Sequence, residues 1–103
     1  MPRVTIRFAE SAIADLEAIR TWYDETGVPD VGDRFVREII ARVEALRDHP
    51  EMGRMAPEFD QPFLRELIHQ PFRIVYRRDP KHLRIVRVWR RERLLALPDD
   101  AKA

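Results

Sequence analysis

The sequence predicts an α+β domain in the order β-α-α-β-β-β, a helix hairpin packed on a small antiparallel sheet. Three observations carry that reading. Val4, Ile6 and Phe8 alternate with Thr5 and Arg7, the period of a short half-buried strand. Two stretches of helical spacing follow, parted only by Gly27-Val28-Pro29. Then three strand-like runs come in succession, 63–69, 72–78 and 83–90, joined by links short enough for hairpins.

Each element has its own justification. In the first helix, starting near Glu10, Ala12, Leu16, Ile19 and Tyr23 recur at three and four, and Ile13 and Trp22 widen the stripe. Ser11 is available as an N-cap if the helix starts late. The second helix starts near Asp30, with Asp30 and Asp33 at its positive dipole end and Pro50 as its stop. Val31, Phe35, Ile39, Val43 and Leu46 form its apolar stripe, and Glu38 and Arg42 are spaced for a supporting pair on its outer face. The short connection makes the helices antiparallel neighbours. Trp22, Tyr23 and Phe35 read as core. The segment Pro50–Pro62 is punctuated by Pro and Gly and reads as a loop. In the strands beyond it, Phe72, Ile74 and Tyr76 share one face and Arg73, Val75 and Arg77 the other. Strict alternation in the last run groups Ile85 with Arg87 and Trp89, and Arg84 with Val86 and Val88. The helices should cover one face, leaving the other open or covered by a partner.

With 103 residues the chain is one domain, 1–97, followed by a polar tail, 98–103. There is no Cys, and His49, His69 and His82 have no metal-ligand spacing, so neither a disulfide framework nor a metal or other cofactor is expected. The start is not a signal peptide and no apolar run approaches a membrane span, which makes a cytoplasmic location and no membrane partner the expectation.

The charge of +1 hides two unlike ends. Residues 63–97 hold nine Arg and one Lys against three acids, whereas residues 1–62 hold eight Arg against thirteen acids. A basic sheet calls for a polyanionic partner: RNA, DNA or an acidic protein segment. Arg73 and Arg91 could converge on one phosphate, and Arg65 and Arg90 are further phosphate candidates. Guanidinium cannot carry a proton at neutral pH, so RNA cleavage would also need an acid and a base. Glu58, Glu66, His69 and Tyr76 are the candidates. Trp89, between Arg87 and Arg90, could stack on a base or pack against a partner, and Leu94, Leu95 and Leu97 could cover the sheet or meet a partner.

Read in order, the segments ADLEAI, DRFVREIIARVEAL, HPEMGR, LRELI, FRIVYR and IVRVWRRER resemble the RelE/ParE superfamily of type II toxin–antitoxin toxins, from Val4 to about Leu97. The resemblance implies a microbial-RNase-like α+β domain with a twisted sheet. It also implies a cognate antitoxin whose C-terminal segment wraps the toxin, giving a hetero-oligomer. RelE-like members are ribosome-dependent mRNA endonucleases. Arg73, in Phe72–Tyr76, and Arg91, in Arg90–Arg93, match their two arginines, but their C-terminal Tyr falls on Leu97. Some relatives use a loop Glu, which Glu58 matches, together with a terminal His-Tyr that is absent here. ParE-like members are gyrase poisons and need no ribonuclease set. The missing acid and base favour a ParE-like inhibitor of DNA gyrase. The alternatives are a RelE-like endoribonuclease and a nucleic-acid-binding module without toxicity.

Overall fold

A computed structural model of the chain describes residues 4–91. The elements are β1 (Thr5–Phe8), α1 (Glu10–Glu25), α2 (Pro29–Glu44), a 3-10 turn (Ala45–Arg47), β2 (Arg54–Met55), β3 (Leu64–His69), β4 (Phe72–Arg78) and β5 (His82–Arg90). The strands form one sheet in the order β1-β5-β4-β3-β2. The last three strands make the expected antiparallel meander. The sheet as a whole is mixed, because β1 joins β5 in parallel after the helix hairpin has carried the chain over one face.

The hairpin packs through the stripes the sequence marks. Ala12, Ile19 and Tyr23 of α1 and Val36, Ile39 and Val43 of α2 are buried against Phe72, Ile74, Tyr76, Leu83, Ile85 and Val88 of the sheet. Fully burying such side chains is worth about 1.5–3 kcal/mol each. Gly27 turns the chain between the helices at φ 85°, a conformation that favours glycine. Gly32 lets the helices close up, since a Cβ there would lie 2.9 Å from the Tyr23 Cβ. The α-helix stops at Glu44, earlier than Pro50, but the stripe continues through fully buried Leu46 in the tighter 3-10 turn.

Four details depart from the sequence reading. Residues 54–55, read as loop, pair with β3 through Arg54–Glu66 and Met55–Arg65; two exposed residues carry no periodic signal. The pairing of β4 with β5 shifts between Val75 and Tyr76, which face Arg87 and Ile85, so Val86 is the extra residue of a bulge. The bulge reverses the alternation: Ile85 and Val88 both face the helices, while Arg87 and Trp89 lie opposite Val75 and Arg73. Trp22 is 52% exposed, its ring edge-on to Tyr23 at 4.8 Å, because it lies at the margin of the α1 stripe. Glu38 bonds to Arg34 and His69, while Arg42 donates to the Ile68 carbonyl at 3.1 Å, so the predicted outer-face pair gives way to contacts with β3.

The bulge is held by α1. Ser11 does not cap the helix, whose N-cap is Ala9; its hydroxyl donates to the Val86 carbonyl at 2.6 Å. Asp15 accepts from the Val88 amide at 2.8 Å and from both ends of the Arg87 guanidinium at 2.8 and 2.9 Å. β1 pairs only with residues 82–85 of β5, so these contacts satisfy the edge of β5 beyond it.

Candidate functional site

The sheet face away from the helices collects the charged residues. Glu66 stands on β3 and Arg73 on β4, the middle strand of the sheet. Both are buried, Glu66 to 1% exposure and Arg73 to 7%, which is rare for ionised groups unless they are paired. They pair with each other through Arg73 Nε and Glu66 Oε1. The other Glu66 oxygen accepts from Arg54 Nε at 2.5 Å. The outer fork of Arg73 is gripped by both oxygens of Glu58, from the loop between β2 and β3. The result is a chain of alternating charge, Arg54–Glu66–Arg73–Glu58.

The electrostatics follow from that chain. The Arg73 hydrogen bond, assisted by the charges of Arg73 and Arg54, holds the Glu58 carboxyl below its ordinary range, against some desolvation. Burial works against the Arg73 charge, but its bonds to Glu58 and Glu66 outweigh burial and raise its pKa. A carboxyl held low is a weak base at neutral pH, and a guanidinium already bidentate to a carboxylate has no free fork for a phosphate. Beside this chain, the fully buried Tyr76 hydroxyl donates to the Pro50 carbonyl at 3.2 Å and accepts from the Gly53 amide at 3.1 Å. Desolvation raises its pKa. Gly53 is required there, since a Cβ would collide with the tyrosine and come within 2.7 Å of the Glu66 carbonyl.

The remaining predicted residues are dispersed. Arg91 follows β5, its amide donating to the Pro71 carbonyl at 2.9 Å, with an exposed side chain. Arg90 lies on the helix side: it donates to the Tyr23 hydroxyl at 3.0 Å and covers the rings of Trp22 and Phe72. There it borders a cavity of about 540 Å³ lined by Asp15, Trp22, Tyr23, Phe72 and Val88 among others. Arg65 donates to the Pro62 carbonyl at 2.9 Å. His69 meets Glu38 at 2.9 Å. Trp89 is half-buried opposite Arg73, with the Arg87 guanidinium 4.6 Å from its ring centre. Leu94, Leu95 and Leu97 lie outside the described residues. Among the described residues no cluster of His, Asp or Glu could hold a metal ion, and no helix is long and apolar enough to cross a membrane.

Sequence reasoning marked Arg73 and Glu58 but missed Arg54 and the position of Glu66 between two arginines. The β2–β3 register, which places Arg54 beside Glu66, has no sequence signal.

Comparison with known proteins decides the family. The model of the ParE toxin of the type II toxin–antitoxin system parDE matches residues 6–95. The chain belongs to the ParE toxin family. A chain of the chromosomal ParDE toxin–antitoxin system from P. aeruginosa is 27% identical, with a TM-score of 0.72 over 85% of this chain and 96% of that one. The RelBE2 toxin–antitoxin complex from Mycobacterium tuberculosis contains a chain 20% identical, with a TM-score of 0.66 over 88% of this chain and 100% of that one. The YoeB dimer from Staphylococcus aureus has the fold at 15% identity and a TM-score of 0.57, covering 84% of this chain and 95% of that one. No curated protein matches the sequence. The chain is therefore a type II toxin of the ParE/RelE superfamily, with two helices on a five-stranded mixed sheet.

Proposed function

We propose that this toxin is a ParE-like inhibitor of DNA gyrase that does not cleave RNA. The carrying observation is the closure of Arg73 by Glu58 and Glu66. A ribonuclease of this family would need that arginine free for the scissile phosphate, together with a proton donor and acceptor. Here a phosphate must first displace a bidentate carboxylate, and both Glu58 and Tyr76 have pKa values displaced away from neutrality. The ParDE resemblance supports the same side.

A cognate antitoxin neutralises the toxin in a hetero-oligomer, as the names of the ParDE and RelBE2 relatives would lead one to expect. Its contact is the Trp89 end of the open face together with Leu94, Leu95 and Leu97, where an aromatic ring and aliphatic side chains could anchor an acidic amphipathic segment. Two assays on the purified, antitoxin-free protein test the target. It should block supercoiling of relaxed plasmid by gyrase and leave messages intact by primer extension in a cell-free translation system. Cuts confined to translated message, with supercoiling untouched, would overturn the proposal and make Arg73 and Arg91 catalytic.

A further inference from the structure

At the other end of the open face the register sets three arginines in one row. Arg7 of β1 is paired with Arg84 of β5, and Arg84 with Arg77 of β4. Their chain neighbours Ile6, Phe8, Leu83, Ile85 and Tyr76 pack toward the helices, so all three guanidiniums project from the opposite face, and all three are exposed. Adjacent strands are about 4.8 Å apart, so the row places three like charges across roughly 10 Å. Directly opposed like charges destabilise a sheet. Among the described residues the only acid bound to the row is Asp79, on Arg77 at 3.2 Å. Among the described residues the side chains of Arg7 and Arg84 have no ion-pair partner. Lys81, in the adjoining turn, is exposed as well.

Protection of the sheet edge accounts for Arg7, which is on the edge strand, but not for Arg84 and Arg77 on inner strands. A protein partner would want apolar anchors among the charges, yet none of the exposed large apolar side chains lies on β1, β4 or β5. A single-stranded nucleic acid would want exposed rings for base stacking. The Phe63 ring beside the row is already covered by Arg77 at 4.4 Å. What fits a polar row of exposed guanidiniums is the phosphate backbone of a duplex.

We propose that Arg7, Arg84 and Arg77 form a docking face for the backbone of duplex DNA, without sequence preference. It is separate from the closed Arg73 site, and it stands apart from the gyrase reading, since binding can be measured with DNA alone. The test is fluorescence anisotropy of a labelled duplex of arbitrary sequence with the purified full chain, across a salt series from about 50 to 200 mM. Each neutralised phosphate contributes about 0.9 to the log–log slope, so with three contacts the wild type should lose about 40-fold more affinity over that range than the triple variant R7Q/R77Q/R84Q. A control variant, R20Q/R34Q/R37Q on the helices, should keep the wild-type slope. An equal loss of slope in the control would overturn the proposal, because net charge alone would then explain binding. Stronger binding to single-stranded RNA, with the same loss in the row variant, would overturn the duplex assignment. Thermal melting of both variants confirms that each is folded when measured.

Discussion

At Arg73 the energetics are set by which of its two carboxylates can be rehydrated. Glu66 is fully buried, so Glu66→Ala leaves an almost buried guanidinium without its inner partner and also frees Arg54. Breaking a buried pair from one side costs about 3 kcal/mol or more. Glu58 is 39% exposed, and solvent screening limits Glu58→Gln to about 0.5–1 kcal/mol. Urea unfolding of the two variants should reproduce that order. The pH dependence has a defined sign. The folded protein holds the Glu58 carboxyl below its ordinary value of 4.5, so its contribution is full above that pH and is lost as acid protonates it. The stability gap between wild type and Glu58→Gln should therefore be constant near neutrality and narrow as pH falls through 4.5 toward the depressed value. A gap unchanged in acid would mean that Glu58 does not hold Arg73 in solution. Tyr76→Phe removes a partner from both Pro50 and Gly53 in a buried place, for an expected loss of about 1–2 kcal/mol in the same titrations.

At the scale of elements, the sequence was legible wherever burial repeats with a fixed period. The stripes of α1 and α2 and the apolar face of β4 all follow from 3.6- and two-residue spacing. What it hid is aperiodic. A bulge adds one residue, so the period-two reading of β5 is right as far as Ile85 and reversed from Arg87 onward. Its signature lies some seventy residues away, in Ser11 and Asp15, whose polar side chains sit on the helix margin facing it. The closed state of Arg73 was hidden for a similar reason: the local Phe72–Tyr76 pattern marks the arginine, but its partners come from a loop and from β3, whose Glu66 is in turn held by Arg54 of a two-residue strand. Asp15→Ala should cost about 2 kcal/mol, because it strips a charge-assisted acceptor from the Val88 amide and from Arg87 at the edge of β5. Arg84→Gln should do the reverse. It removes the middle charge of three opposed arginines, so the melting temperature should rise modestly, on the order of 0.3 kcal/mol in stability, and more at low salt than at high. A drop in melting temperature would mean that the row is compensated within the chain.

For the whole molecule, the decisive question is whether toxicity passes through the Arg73 site or around it. The obvious variant, Arg73→Ala, cannot answer it. Removing the guanidinium leaves Glu66 buried with a single exposed partner, so lost toxicity would report lost fold as readily as lost chemistry. Arg91 is the cleaner probe. It is exposed, and its described bond to the fold is through its amide, which any residue but proline preserves. A gyrase inhibitor with a closed Arg73 has no use for Arg91 as a phosphate ligand, so Arg91→Ala should leave growth inhibition within about twofold of wild type while melting at the same temperature. A ribonuclease that opens Glu58 on the ribosome would need Arg91 for transition-state charge, and removing one such contact costs about 100-fold or more in rate. Growth inhibition on induction without antitoxin, measured beside the melting curve, separates a twofold effect from a hundredfold one. The single variant Glu58→Gln, which keeps Arg91, then asks the converse. Freeing Arg73 should raise toxicity if the clasp restrains a nuclease, and should leave it unchanged if the clasp only holds the loop to the sheet.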